Sequence, residues 1–154
     1  MLARGARRTS LLVAAVLIAL AAPAMAQGPT FVQARSNHDF ARTVSALKRS
    51  VSHNGFMVMG HLDQARVLSM TGLQLAGAQT FLVGNPTIGK KVFAMNAAAG
   101  AVLPVRVYVW QQGDAVYVGF FKPSEQLAGI SGKLAMPGAM LDRKLAAISQ
   151  GATQ

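Results

Sequence analysis

The sequence predicts an α+β domain, a two-layer sandwich with helices packed on one face of a largely antiparallel sheet. Three observations predict it. Stretches of strand-like alternation are interleaved with stretches of helical spacing. Two strand-like runs, Val105 to Trp110 and Ala115 to Phe121, are joined as a hairpin by Gln112-Gly113-Asp114. The chain then closes in a helical tail opened by Pro123-Ser124.

In chain order, Thr30 to Arg35 reads as a short strand, and Ser36-Asn37-His38-Asp39 has the S-x-x-D form of a capped helix start. Phe40, Val44, Leu47 and Val51 follow at helical spacing and form one apolar stripe. Asn54-Gly55 stops that helix, since glycine tolerates positive φ. Phe56 to Leu62 is a strand, and Asp63 caps a short helix running through Ser69 and ended by Gly72. Gln79 to Gly84 is a second apolar strand, and Asn85-Pro86 supplies N-cap and N1 of a helix reaching about Asn96. The helical tail is expected to break near Pro137-Gly138 and to resume through Ile148.

The first residues have a different character. Arg4, Arg7 and Arg8 precede the uncharged run Leu11–Ala22, and Pro23-Ala24-Met25-Ala26 closes it. These are the basic, apolar and A-x-A regions of an export signal. Twelve apolar residues fall short of the ~20 a membrane span needs, so cleavage after Ala26 is expected, with no stable membrane anchor afterwards. Residues 27–154 then form a single domain, periplasmic or secreted. Arg7-Arg8 followed by Leu11-Leu12 also matches a twin-arginine signal, and the choice between the two export routes stays open.

The chain has no cysteine, which excludes disulfides, thiolate metal sites and a cysteine nucleophile. Beyond the signal, twelve Lys/Arg face five Asp/Glu, a net +7. The basic residues occur at most in pairs, without interleaved aromatics, so a solvated basic surface is expected and no nucleic-acid platform. Acid–base chemistry has only Asp39, Asp63, Asp114, Glu125 and Asp142 to draw on. Asp39, Asp63 and Glu125 fall at helix starts, Asp114 in a turn and Asp142 on a helix surface, so no catalytic residue is nominated.

Phe40, Thr43, Leu47, Gly55-Phe56-x-Val58, Asp63, Gly72-Leu73 and Gly84-Asn85-Pro86, with Leu103-Pro104, Trp110 and Pro123, form a series that resembles the DUF302 family over roughly Ser36 to Leu127. Its most specific piece is Gly84-Asn85-Pro86 followed by Leu103-Pro104. The resemblance implies a compact two-layer α+β domain and a homodimer, with no established reaction. The sequence departs from the pattern at Gln64, where many members carry histidine.

Two segments attract functional readings. Gly84-Asn-Pro-Thr-Ile-Gly89-Lys90-Lys91 approaches a phosphate loop, but Lys91 replaces the Mg²⁺-binding hydroxyl and Pro86 lacks an N–H. Gly84, Asn85, Pro86 and Lys90 are therefore read as a structural or ligand-binding loop, with a weak anion site at the helix start as the sharper version. In the strand Phe56 to Leu62, alternation is expected to place Met57, Met59 and His61 on one face, with His53 as a further donor. Thioether and imidazole together suit copper(I) or haem, against the plainer reading that methionines fill a core. The overall reading is an exported, dimeric, non-catalytic domain that binds a small ligand or partner. Its alternatives are a periplasmic haem- or copper-binding protein and an enzyme of unidentified class.

Overall fold

A computed structural model describes residues 28–154; the segment expected to be an export signal lies outside the described residues. Five strands and five α-helices follow in the order β1 Phe31–Arg35, α1 Phe40–His53, β2 Met57–Asp63, α2 Gln64–Ser69, β3 Ala78–Gly84, α3 Pro86–Met95, β4 Val105–Gln112, β5 Ala115–Phe121, α4 Pro123–Ile130 and α5 Ala135–Thr153. Short 3-10 turns occupy Ala97–Ala101 and Gly132–Leu134. The strands form one antiparallel sheet in the order β1-β5-β4-β3-β2. The fold is the expected α+β sandwich.

Alternation along β4 explains the two faces. Val105, Val107 and Val109 are buried, whereas Arg106, Tyr108 and Trp110 project to the other side. On the inner face, Phe81, Val83, Val116, Val118 and Phe120 join those valines beneath Leu47 and Val51 of α1, Val92 of α3, Leu127 of α4 and Leu141, Leu145 and Ile148 of α5.

Glycines at positive φ end α1 at Gly55 (76°) and turn the β4–β5 hairpin at Gly113 (58°), as expected of residues without a Cβ.

Three local expectations are corrected. Asp39, and not Ser36, caps α1 by accepting from the N–H of Arg42. Ser36 turns instead to the hydroxyl of Thr43, a buried pairing 2.7 Å long. The tail breaks at Ser131–Leu134, ahead of Pro137, which sits in the first turn of α5 where an N–H has no helical partner. Asp142 is no idle surface residue. Its carboxylate accepts from both the N–H and the hydroxyl of Ser124, so α5 caps the start of α4.

Glu125 holds the opposite end of the sheet by accepting from the N–H and hydroxyl of Thr30, just before β1. Those bonds, the backbone one foremost, keep its carboxyl below the usual glutamate range, and Lys122 adds to the effect.

Candidate functional site

The predicted donor strand is interrupted. Met57 pairs with Gly84 and Val58 with Val83, whereas Gly60 pairs with Leu82 and His61 with Phe81, so Met59 is the extra residue of a β-bulge. Opposed residues in antiparallel strands share a face. The pairing of Met57 with Gly84 and of His61 with Phe81 therefore puts Met57 and His61 on opposite sides of the sheet. The expectation of a common Met57, Met59, His61 face is corrected, because the bulge shifts the alternation by one residue.

Each of the three side chains has a separate setting. Met57 is exposed on the outer face. His61 stacks on Phe81 with ring centroids 4.8 Å apart, and its Nε2 lies 3.1 Å from Oε1 of Gln79. His53 ends α1 and is exposed.

Met59 reaches a different place. A Cβ on Gly84 would lie 2.5 Å from its Sδ and 3.4 Å from Cβ of Pro104, so glycine at 84 makes room for the thioether. There, Met59, Gly84, Asn85 and Pro86 meet Leu103 and Pro104 around a partly open apolar cavity of about 120 Å³, lined on its other sides by residues of α3 and α5. Gly84-Asn85-Pro86 and Leu103-Pro104, well separated in the sequence, thus form one wall. The peptide bond between Leu103 and Pro104 is cis. Lys90 is exposed on α3 and does not line this cavity.

Asn85 fastens that wall. Its side-chain oxygen accepts from the N–H of Ile88 at 3.0 Å, the expected helix cap, and its amide donates to the Gly55 carbonyl at 2.7 Å. The second bond ties α3 to the α1–β2 turn. Asn85→Ala should therefore cost about 2 kcal/mol, one part for the cap and one for the lost donor. Asn85→Asp should keep the cap and recover roughly half of that. Urea unfolding of the two variants checks the split: wild-type stability in Asn85→Asp would deny the Gly55 bond any weight, and equal losses in the two variants would deny the cap any.

The outer face of the sheet was missed by the sequence reading. Tyr108, Trp110 and Tyr117 stack in a row, with centroids 5.3 Å and 5.2 Å apart, and Phe31 lies 5.9 Å from Trp110 and 5.0 Å from Phe121. Phe31 is 42% exposed, Phe121 47% and Leu62 48%. The α2 helix packs against β3, where the Gln64 amide donates to the Thr80 hydroxyl. The signal was present in the alternation of Tyr108 and Trp110 with buried valines.

Among the described residues no cluster of three His, Cys, Asp or Glu side chains has metal-site proximity. No described helix is long and apolar enough to cross a membrane.

Residues 32–150 match the family model described as a domain of unknown function, DUF302. A crystal structure of an uncharacterized conserved DUF302 protein from Bacillus stearothermophilus superposes with a TM-score of 0.75 at 22% identity, covering 79% of this chain and 97% of that one. At that identity the likeness speaks for the fold alone. No curated protein matches the chain.

Proposed function

Because the chain belongs to the DUF302 family, a domain of unknown function, we propose that it is an exported, homodimeric, non-catalytic binding domain. Its ligand is a small apolar molecule or apolar group held between Met59, Gly84–Pro86 and Leu103–Pro104. The observation that carries this reading is the convergence of those separate segments on one cavity, with Asn85 and Gly84 fitted to shape it.

Size selects the ligand class. Drug-sized ligands occupy roughly 300–1,000 Å³, whereas an apolar cavity of ~150 Å³ takes a benzene-sized guest. The cavity of about 120 Å³ belongs with the latter. A haem does not enter that volume, and the copper reading loses the shared face on which it rested. The enzyme alternative has no support in the carboxylates, since Asp39, Asp63 and Asp142 cap helices and Glu125 binds Thr30.

Gly89 provides the test. It lines the cavity, and an added Cβ would meet nothing within 4 Å. Gly89→Leu should fill the space without disturbing the fold, and Gly89→Ala should raise stability by up to ~1 kcal/mol through helix propensity. Benzene titrated into the wild-type protein and followed by NMR should give saturable shifts around Phe56, Phe93 and Leu103 that vanish in Gly89→Leu. Absence of saturable shifts in the wild type, or their persistence in the variant, would overturn the reading.

The uncovered aromatic face supports the homodimer, because contiguous exposed apolar area marks an interaction surface and a two-fold pair covers it with itself. Light scattering on the processed protein at micromolar concentration should give twice the chain mass, and Trp110→Glu should halve it. A monomeric wild type removes this part of the proposal and leaves the cavity reading intact.

A further inference from the structure

Beside that cavity, with Ile88 common to both, a second depression of about 450 Å³ runs between α3 and α5. Its floor is Ile88 and buried Val92, and its sides carry the thioethers of Met95, Met136 and Met140. Met136 and Met140 stand four residues apart on α5 and so share one helix face. Met136 is 81% exposed and Met95 48%, so neither is there to fill the core.

Two cations, Lys91 of α3 and Arg143 of α5, line the same depression. Neither has a carboxylate partner, since the ion pairs among the described residues are Arg42–Asp39 and Lys122–Glu125. The remaining acids are committed elsewhere: Asp63 caps α2, Asp142 caps α4, and Asp114 lies in the β4–β5 turn. An apolar trough edged by two unneutralised cations is complementary to an apolar chain that ends in an anion.

We infer that the α3–α5 groove binds a medium-chain carboxylate, its tail along Val92 and the three methionines and its head between Lys91 and Arg143. The volume lies within the range of small-molecule sites. From Ile88 to Met95 the helix rises ~10 Å, which sets a medium rather than a long chain. Unbranched, polarizable methionine side chains adapt to a flexible tail. Three thioethers alone would also suit copper(I), but the two cations repel a metal ion and attract a carboxylate, so the charges decide between them.

The test is calorimetric titration of the processed protein with decanoate, with decanol and decyltrimethylammonium as neutral and cationic controls of equal chain length. Decanoate should saturate at one per chain, and both controls should bind at least tenfold more weakly. Lys91→Gln with Arg143→Gln should weaken decanoate tenfold or more. Met136→Glu, fully folded by circular dichroism because the side chain is exposed, should abolish binding. Gly89→Leu, which does not line this groove, should leave it unchanged, so this site and the smaller cavity fail separately. Equal affinity for decanol and decanoate, wild-type affinity in the double variant, or binding to phosphatidylglycerol vesicles without saturation by free decanoate would each overturn the inference.

Discussion

Truncation of Phe81 to alanine is expected to remove about 3–5 kcal/mol of stability, the range for deleting a buried aromatic ring. Phe81 has no exposed surface, lies in β3 between β4 and β2, and is flanked by the His61 ring and by the Lys48 ammonium, 5.8 Å from its centroid. The loss is large against a domain stability of roughly 5–15 kcal/mol. Phe81→Leu keeps most of the volume and should lose less than half as much. Chemical denaturation of both variants decides the matter. A shift below ~1 kcal/mol for the alanine variant would mean that the core closes over the gap.

Gly138→Val should have the next largest effect, a loss of about 3 kcal/mol, at the upper end of overpacking costs. A Cβ at that position would come 2.5 Å from Cα of Ser124, 3.1 Å from its nitrogen and 3.2 Å from the Pro123 carbonyl oxygen. All three are backbone atoms, which cannot rotate aside. The helices must part, and separation also strains the two bonds by which Asp142 holds Ser124. The melting temperature should fall by roughly 10 °C. Gly89→Ala, also in a helix, should move it upward. Opposite signs for two helical glycines follow from what stands beside each one, and a rise for Gly138→Val would refute the close approach.

The contrast shows what a sequence makes legible. Local chemistry could be read directly: Asn85-Pro86 as cap and first helical residue, Asp63 as a cap, and the glycines at 55 and 113 as positive-φ turns. The strand Val105 to Trp110 was likewise legible, whereas the division of its residues between two faces was not drawn from its alternation. What escaped depends on partners far along the chain. Ser36 has the right spacing for a cap, yet its hydroxyl pairs with that of Thr43 and its N–H donates to the Val116 carbonyl of β5. Asp142 acts on Ser124, eighteen residues earlier, and nothing near it in the sequence indicates this.

The bulge at Met59 carried a signal that was overlooked, since an isolated glycine inside a strand often marks one, and Gly60 stands there. Reading strict alternation through it produced the shared donor face. The cavity was half visible: its wall segments stood out individually, but only the fold shows Gly84 yielding space to Met59.

That bulge has a consequence for how the chain keeps company with copies of itself. β1 and β2 are the two margins of the sheet, and a margin strand displays unpaired N–H and C=O groups that invite further strands, the route to fibres. Along β2, an incoming strand meets a break in spacing at Met59 and cannot continue in register. Along β1 the template is five residues long and ends at Arg35, which resists a like-charged neighbour. The sheet can therefore leave an aromatic face bare without its margins seeding open-ended growth.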